Sequence, residues 1–261
     1  MSHKKRSPRK SGKTAGLENT QAVTEKKKDT SPYVYQREKI DFSLSLRDIP
    51  WTEKQKEIID TVIDKKANMA LIDGIWGSGK TLMAVYTCLK LLNLKKISNI
   101  LYVRNIVQSG TGTLGWLGGD LQTRLSPYMV PFYQKLEELI PENQVKKLIQ
   151  EQIVEAQPVA LLRGTSYNAY GIIIDEMGCM SKEDIMLTLS RVGKFSYVFG
   201  IGDSWQVDIK NSGFRNMFNI FNDEESKEHK IFTFELQDEM DVMRSDFLKY
   251  VMKKVRNLDN K

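Results

Sequence analysis

The chain has 261 residues, 41% of them hydrophobic, and a formal net charge of +6. This length and composition suit one sizeable α/β domain with an ordinary buried core rather than two domains. No apolar run approaches the roughly 18 residues of a membrane-spanning helix, and the charged N-terminus lacks the apolar stretch of a secretory signal, so we expect a cytoplasmic protein with no membrane partner. Cys88 and Cys179 are the only cysteines and His3 and His229 the only histidines, so no cluster has the spacing of a zinc site. Both thiols fall inside apolar patterns and are read as buried and reduced.

The charge is unevenly spread. Residues 1–30 hold nine Lys/Arg against three Asp/Glu, the whole of the excess, and the remainder is formally neutral. This segment has almost nothing apolar to bury, so a disordered basic tail over 1–30 and a folded domain over 31–261 are expected. Lys4, Lys5, Arg6, Arg9, Lys10 and Lys13 fit an arm on nucleic acid, a solubilising tail or, third, a nuclear localisation signal. Order is expected to begin near Tyr33–Asp41. Trp51, Thr52 and Gln55 then open a helical pattern with Ile58, Ile59, Val62 and Ile63 at core spacing, and Thr52 suits its N-cap. The Gln55 amide could accept from N6 and donate to N7 of an adenine; alone it also fits a surface position on a helix.

Met69–Ile72 form a short apolar run that suits a buried strand, and Lys80–Leu92 carry the next helix. Between them stands GIWGSGKT, Gly74–Thr81, which fits the phosphate-loop pattern G-x-x-x-x-G-K-[ST]. Gly74, Gly77 and Gly79 permit left-handed torsions and close approach, so consecutive N–H groups can face phosphate oxygens, with the helix dipole behind them. Gly74, Ile75, Trp76, Gly77, Ser78, Gly79, Lys80, Thr81 and Leu82 are therefore assigned to a nucleotide. Lys80 would reach the β- and γ-phosphates, and the Thr81 hydroxyl would ligate Mg²⁺.

Asn99–Val107 contain a strand, ILYV, followed by Arg104 and the glycine-rich QSGTGTLGWLGGD, read as either a contacting loop or a structural turn. Leu121–Ile140 and Glu142–Gln152 read as helices, with Pro131 a candidate kink, and Pro158–Leu162 as a strand. YGIIIDE ends a further strand in Asp175 and Glu176, at the C-terminal edge where α/β sheets bind ligands. There Asp175 would hold Mg²⁺ through its water shell, and Glu176 would orient and deprotonate the attacking water. Ser181 and Asp184 resemble a capping box opening a helix that ends near Arg191. FSYVFGIGDSWQVD is a strand running out into Gly202, Asp203 and Gln206, either a polar pair beside the γ-phosphate or a plain turn. Ile231–Leu236 is a last strand, and Asp246–Arg256, preceded by Arg244, a terminal helix.

In order and spacing these motifs resemble the PhoH family of P-loop ATPases, whose single RecA-like core is similar to the first core domain of superfamily 1 helicases. The resemblance runs from about Trp51 to Arg256, through TEKQ, GIWGSGKT, ILYVRN, LGWLGGDLQTRLSPYMVPFY, LLRGTSYNAYGIIIDE, LSRVG, GDSWQVD and DVMRSDFL. It implies a three-layer α/β P-loop NTPase fold with a mostly parallel sheet, and ATP and Mg²⁺ as cofactors. It gives Gln55 to adenine, Lys80 and Thr81 to phosphates and metal, and Asp175 and Glu176 to metal and base. Gln206 would sense the γ-phosphate, and Arg244 falls where those helicases place an arginine on it. Met177 and Gly178 stand where the family has Ala-Gln, and Ser245 and Asp246 where it has His-Pro. No PIN-type nuclease domain, and hence no intrinsic RNase activity, is expected.

The expected function is an ATPase acting on RNA or single-stranded DNA in the manner of a helicase. The alternatives are a P-loop phosphotransferase, which lacks a recognisable lid arginine pair here, and a nucleotide-gated binding protein, against which Glu176 argues. Superfamily 1 helicases complete their site with an arginine from a second core. A lone core needs that charge from a neighbour, so a homo-oligomer is expected, a ring such as a hexamer. Arg191 is the candidate for that arginine. Its other reading is a charge complementing the dipole at a helix C-terminus.

Overall fold

The computed structural model describes residues 43–105, 121–162, 164–204, 212–242 and 245–259, without the side chains of 121–128, 239, 252, 253 and 255–259. These residues all belong to the unit Tyr35–Lys261. The basic tail, the boundary near residue 31, the onset of order at Tyr33–Asp41 and the glycine-rich stretch all fall outside them.

Six strands pair in parallel in the order β3-β2-β4-β5-β1-β6. They are β1 (Met69–Gly74), β2 (Asn99–Arg104), β3 (Val154–Pro158), β4 (Tyr170–Asp175), β5 (Tyr197–Gly202) and β6 (Ile231–Leu236). Side chains alternate across a strand, and each face buries its own set. Ala70 and Ile72, Ile100 and Tyr102, Ile173, Phe199 and Ile201 pack with α1 (Glu53–Asp64), α2 (Lys80–Asn93), α3 (Leu121–Leu139) and α4 (Glu142–Gln150). Met69 and Leu71, Leu101 and Val103, Ile172 and Ile174, and Val198 pack with Met177, Met180, α5 (Lys182–Leu189) and α6 (Phe214–Ile220). A parallel sheet covered on both faces explains why its central strands read as continuous apolar runs. The three-layer α/β arrangement expected of the sequence is therefore present. Among the described residues no helix is long and apolar enough to cross a membrane.

Thr52 caps α1: its side chain accepts from Gln55 N, and the Gln55 side chain reaches back to the cap backbone. Ser181 caps α5 in the expected way, accepting from Asp184 N. α3 continues through Pro131 as a single helical assignment. The strand expected at Pro158–Leu162 lies earlier, at Val154–Pro158, and Val159–Leu161 form a 3₁₀ turn. β3 is an edge strand with a half-buried centre, so Glu155 and Gln157 are tolerated there and the apolar run is displaced to the turn. Two short helices carried no periodic signal, α6 and α7 (Glu224–Glu228). Of the thiols, Cys88 is buried as expected, but Cys179 is only partly so.

Close packing reaches the rim where β5 ends. A Cβ on Gly202 would lie 2.4 Å from the Phe214 ring, so β5 and the start of α6 meet without room for a methyl group. Gly202→Ala is expected to lower the free energy of unfolding by about 1–3 kcal/mol through overpacking, read as a lower urea midpoint at unchanged slope.

Candidate nucleotide site

The ends of β1, β4 and β5 open on a cavity of about 460 Å³, in the usual range for small-ligand sites. Its walls include Trp76, Gly77 and Gly79–Leu82, Asp175 and Glu176, and Ile201–Asp203. Ile49, Pro50, Lys135 and Glu138 complete it.

The loop after β1 is shaped by its glycines in two ways. Gly77 and Gly79 have φ of 83° and 73°, the left-handed region that glycine enters without penalty. Gly74 is instead a point of close approach, where a Cβ would meet Lys80 Cδ and Ser78 Oγ at 3.0 Å. Buried Ile75 packs with Val242 and Trp76, and Ser78 Oγ donates to the Ile75 carbonyl at 2.7 Å. Gly79 leads into α2, whose first N–H groups have no partner within the helix and face whatever the loop encloses.

Lys80 folds over its own loop, its Nζ donating to the carbonyls of Gly74 and, at 2.8 Å, Ile75. Burial pushes its pKa down, against the opposing pull of Asp203, Asp175, Glu176 and Asp73. Phosphate oxygens would stabilise the ammonium in that position. Thr81 Oγ1 lies 3.2 Å from both carboxylate oxygens of Asp175. A hydroxyl and a carboxylate placed together beside the phosphate loop fit a divalent cation that Thr81 would ligate and Asp175 would hold through its water shell. Among the described residues no group of three or more His, Cys, Asp or Glu side chains could hold a metal.

Tyr102 on β2, which reads as plain core in ILYV, donates its hydroxyl to Asp175 Oδ2 at 2.6 Å. Burial and the Asp175 charge raise the phenol's pKa far above its usual value, so it remains a donor. Glu176 follows with φ 56° and ψ 39°, a left-handed conformation that a non-glycine residue adopts at a cost. Its Oε1 accepts from Arg104 Nη2 at 3.0 Å.

Gln55 is fully buried. Its Nε2 donates to the Ser78 carbonyl at 2.9 Å, and its Oε1 accepts from Thr52 N at 2.9 Å. The amide edge expected to read an adenine is therefore turned to the protein, where it braces the loop from behind.

Asp203 lines the cavity and is buried. Gln206 and Arg244 lie outside the described residues. Their neighbours are placed: Val242 packs against Ile75 and Trp76, and Ser204 bonds to Asp73 at the end of β1 through its N at 2.9 Å and its Oγ at 2.6 Å. Arg215 on α6 completes that cluster, 3.2 Å from Asp73 Oδ2 and 2.9 Å from Ser204 Oγ. Arg191 is not at this site. Its carbonyl accepts from Tyr167 N, ahead of β4 and β5, at the opposite rim of the sheet. A six-residue strand separates the two rims by about 20 Å.

Comparison with known proteins gives a consistent family. A family model described as PhoH-like protein matches residues 49–256. The chain is similar to a PhoH-like protein of Mycobacterium tuberculosis (strain ATCC 25618 / H37Rv), with 31% identity over 178 residues, 67% of this chain and 49% of that one. It is also similar to a PhoH-like protein of Bacillus subtilis (strain 168), 29% identical over 158 residues, 60% of this chain and 49% of the other. The chain thus spans about half the length of these relatives. A solved structure of the large terminase from a thermophilic bacteriophage in complex with ADP is similar with a TM-score of 0.44 and 10% identity, covering 78% of this chain and 50% of that one.

The placement of Gln55 is directly testable. Gln55→Ala should lower stability by about 1–3 kcal/mol, because it leaves the buried Ser78 carbonyl and the cap N–H without partners. Chemical denaturation measures this. An unchanged midpoint together with a selective loss of ATP over GTP binding would show that the amide serves the base instead.

Proposed function

This chain belongs to the PhoH-like protein family, and on that premise we propose that it is a Mg²⁺-dependent ATPase acting with RNA or single-stranded DNA. The observation that carries the reading is the Thr81 hydroxyl 3.2 Å from both oxygens of Asp175, with Glu176 next in the chain and the phosphate loop alongside. Lys80 leaves the Gly74 and Ile75 carbonyls for the β- and γ-phosphates, while the N–H groups of Gly77–Leu82 hold the triphosphate in line. Thr81 would ligate Mg²⁺ and Asp175 would hold it through its water shell, and the ion would neutralise charge on the phosphates. Tyr102 keeps the Asp175 carboxylate turned toward Thr81. Glu176 accepts the proton of the attacking water at its carboxylate. Gln206 and Arg244 contact the γ-phosphate, from segments whose neighbours are tied to the phosphate loop. The base lies against the part of the cavity wall that includes Ile49, Pro50 and Leu82.

Nucleic acid as partner is supported by the basic residues of the N-terminal segment, whose contacts with phosphates would be salt-dependent. Arg191 stands toward the opposite rim of the sheet from Thr81, so any action of its guanidinium on a nucleotide would be on that of another copy. We therefore assign the active form to a homo-oligomer, with a ring, such as a hexamer, as its simplest form.

The deciding measurement is ATP turnover with and without single-stranded RNA or DNA. Glu176→Gln should retain ATP·Mg²⁺ binding and lose about 10²- to 10⁴-fold in turnover, since an amide orients water but takes no proton. Lys80→Ala should weaken binding itself. Near wild-type turnover by the glutamine variant would remove Glu176 from its role.

Mixing tests the arginine. Arg191→Ala and Lys80→Ala should each be inactive alone, and mixed oligomers should regain ATPase activity, because some boundaries pair an intact loop with an intact arginine. Mixed oligomers that stay inactive would exclude action in trans.

A further inference from the structure

The last helix carries a surface that the nucleotide site does not use. α8 (Asp246–Asp259) follows Ser245, whose carbonyl accepts from Leu248 N and Lys249 N at 2.9 and 3.1 Å. Phe247 and Tyr250 are 73% and 60% exposed, whereas Leu248 and Val251 are half-buried. The helix thus keeps one apolar flank partly covered and leaves two aromatic rings in water. Lys254 Nζ lies over the Tyr250 ring, 5.6 Å from its centroid. At 3.6 residues per turn, Phe247, Tyr250 and Lys254 fall on one stripe. Lys253 stands three positions after Tyr250 and four after Lys249, so basic positions run beside the aromatic ones. From Phe247 to Leu258 the chain has four Lys/Arg and no Asp/Glu, although residues 31–261 as a whole are formally neutral.

Neighbouring exposed rings mark an interaction surface, and the charge around them selects what covers it. The N-terminal segment carries the same sign of charge and is repelled. The α8 of a second copy would set like charges against each other. A bilayer needs a continuous apolar face to sink into, and here Leu248 and Val251 are already partly covered. A single strand of nucleic acid answers both features, because bases of any sequence stack on exposed rings while backbone phosphates meet the cations beside them. The helix also starts close to the nucleotide loop. Val242, four residues ahead of it, packs against Ile75 and Trp76, and Asp241 is ion-paired with Lys54 of α1 at 3.3 Å.

We propose that α8 is a binding surface for single-stranded nucleic acid, on which Phe247 and Tyr250 stack bases and Lys254 meets the backbone phosphates. The proposal rests on the nucleic-acid part of the reading above and is independent of the chemical step. It places the strand on the same segment of chain that packs against the phosphate loop.

The test is the anisotropy of labelled oligo(U) and oligo(dT) with the full chain over a salt series, for wild type, Phe247→Ala, Tyr250→Ala, Tyr250→Phe and Lys254→Ala. Each loss of a ring should weaken binding about 5- to 100-fold at an unchanged salt slope. Tyr250→Phe keeps the ring and should bind as wild type does. Lys254→Ala should instead flatten the log-log salt slope by about 0.7. Urea midpoints should not move, because the rings are exposed. Wild-type affinity in both ring variants overturns the surface and leaves the nucleic-acid reading in place. If wild type binds neither polymer, that reading falls and the surface falls with it. Binding lost only because the ring variants lower the oligomer mass in sedimentation assigns the face to a second copy. Ring-dependent binding to phosphatidylserine vesicles, with no binding to either polymer, assigns it to a membrane. Either of these last results overturns the proposal.

Discussion

The site depends on one carboxylate held from two sides. Asp175 accepts a hydroxyl from Tyr102 within the sheet and lies against the Thr81 hydroxyl at the start of α2. The Tyr102 ring is stacked on Phe132 of α3 at 4.8 Å between centroids. Core packing of α3 thus fixes a ring, the ring fixes a phenol, and the phenol fixes which way the acid faces. A carboxylate set in this way needs no reorganisation when charge arrives, which is how preorganised sites act.

A second acid shows the same logic with a different solution. Asp73 is fully buried at the junction of β1 with the phosphate loop, where an unpaired carboxylate would cost several kcal/mol. The Ser204 backbone and hydroxyl and the Arg215 guanidinium satisfy it. These bonds join the loop after β1 to the segment after β5, while Gly202 and Phe214 join β5 to α6 by shape alone. Both faces of the sheet therefore contribute to holding the rim.

What could be read from the sequence was local. The phosphate loop, the acid pair after β4 and the caps at Thr52 and Ser181 are formed by neighbours in the chain, and each lies where its pattern implies. What escaped was made by partners far apart: Tyr102 with Asp175, Arg104 with Glu176 and Arg215 with Asp73 are separated by 73, 72 and 142 positions. Only the strand order brings them together, and a polar tip on an apolar strand looks like core until its neighbour is known. Gln55 is instructive in another way. Thr52 and Gln55 spell a capping box, so the chain did carry the signal that this amide faces inward, while resemblance to other ATPases pointed it at a base. β3 was displaced for a third reason: an edge strand need not be apolar, so hydrophobicity alone favoured the turn beside it.

The two rims of the sheet are unlike, and that has a consequence for symmetry. Thr81, Asp175 and Glu176 stand at the C-terminal ends of the strands, Arg191 at their N-terminal ends. If the rim bearing Arg191 on one copy were to seat on the opposite rim of the next, with no patch holding both, the contact would be heterologous and no twofold axis would relate the pair. Each copy then gives to one neighbour and receives from the other. A closed ring of n copies completes n sites, whereas an open chain completes one fewer than its length. Closure, rather than contact alone, would decide whether every bound nucleotide can turn over.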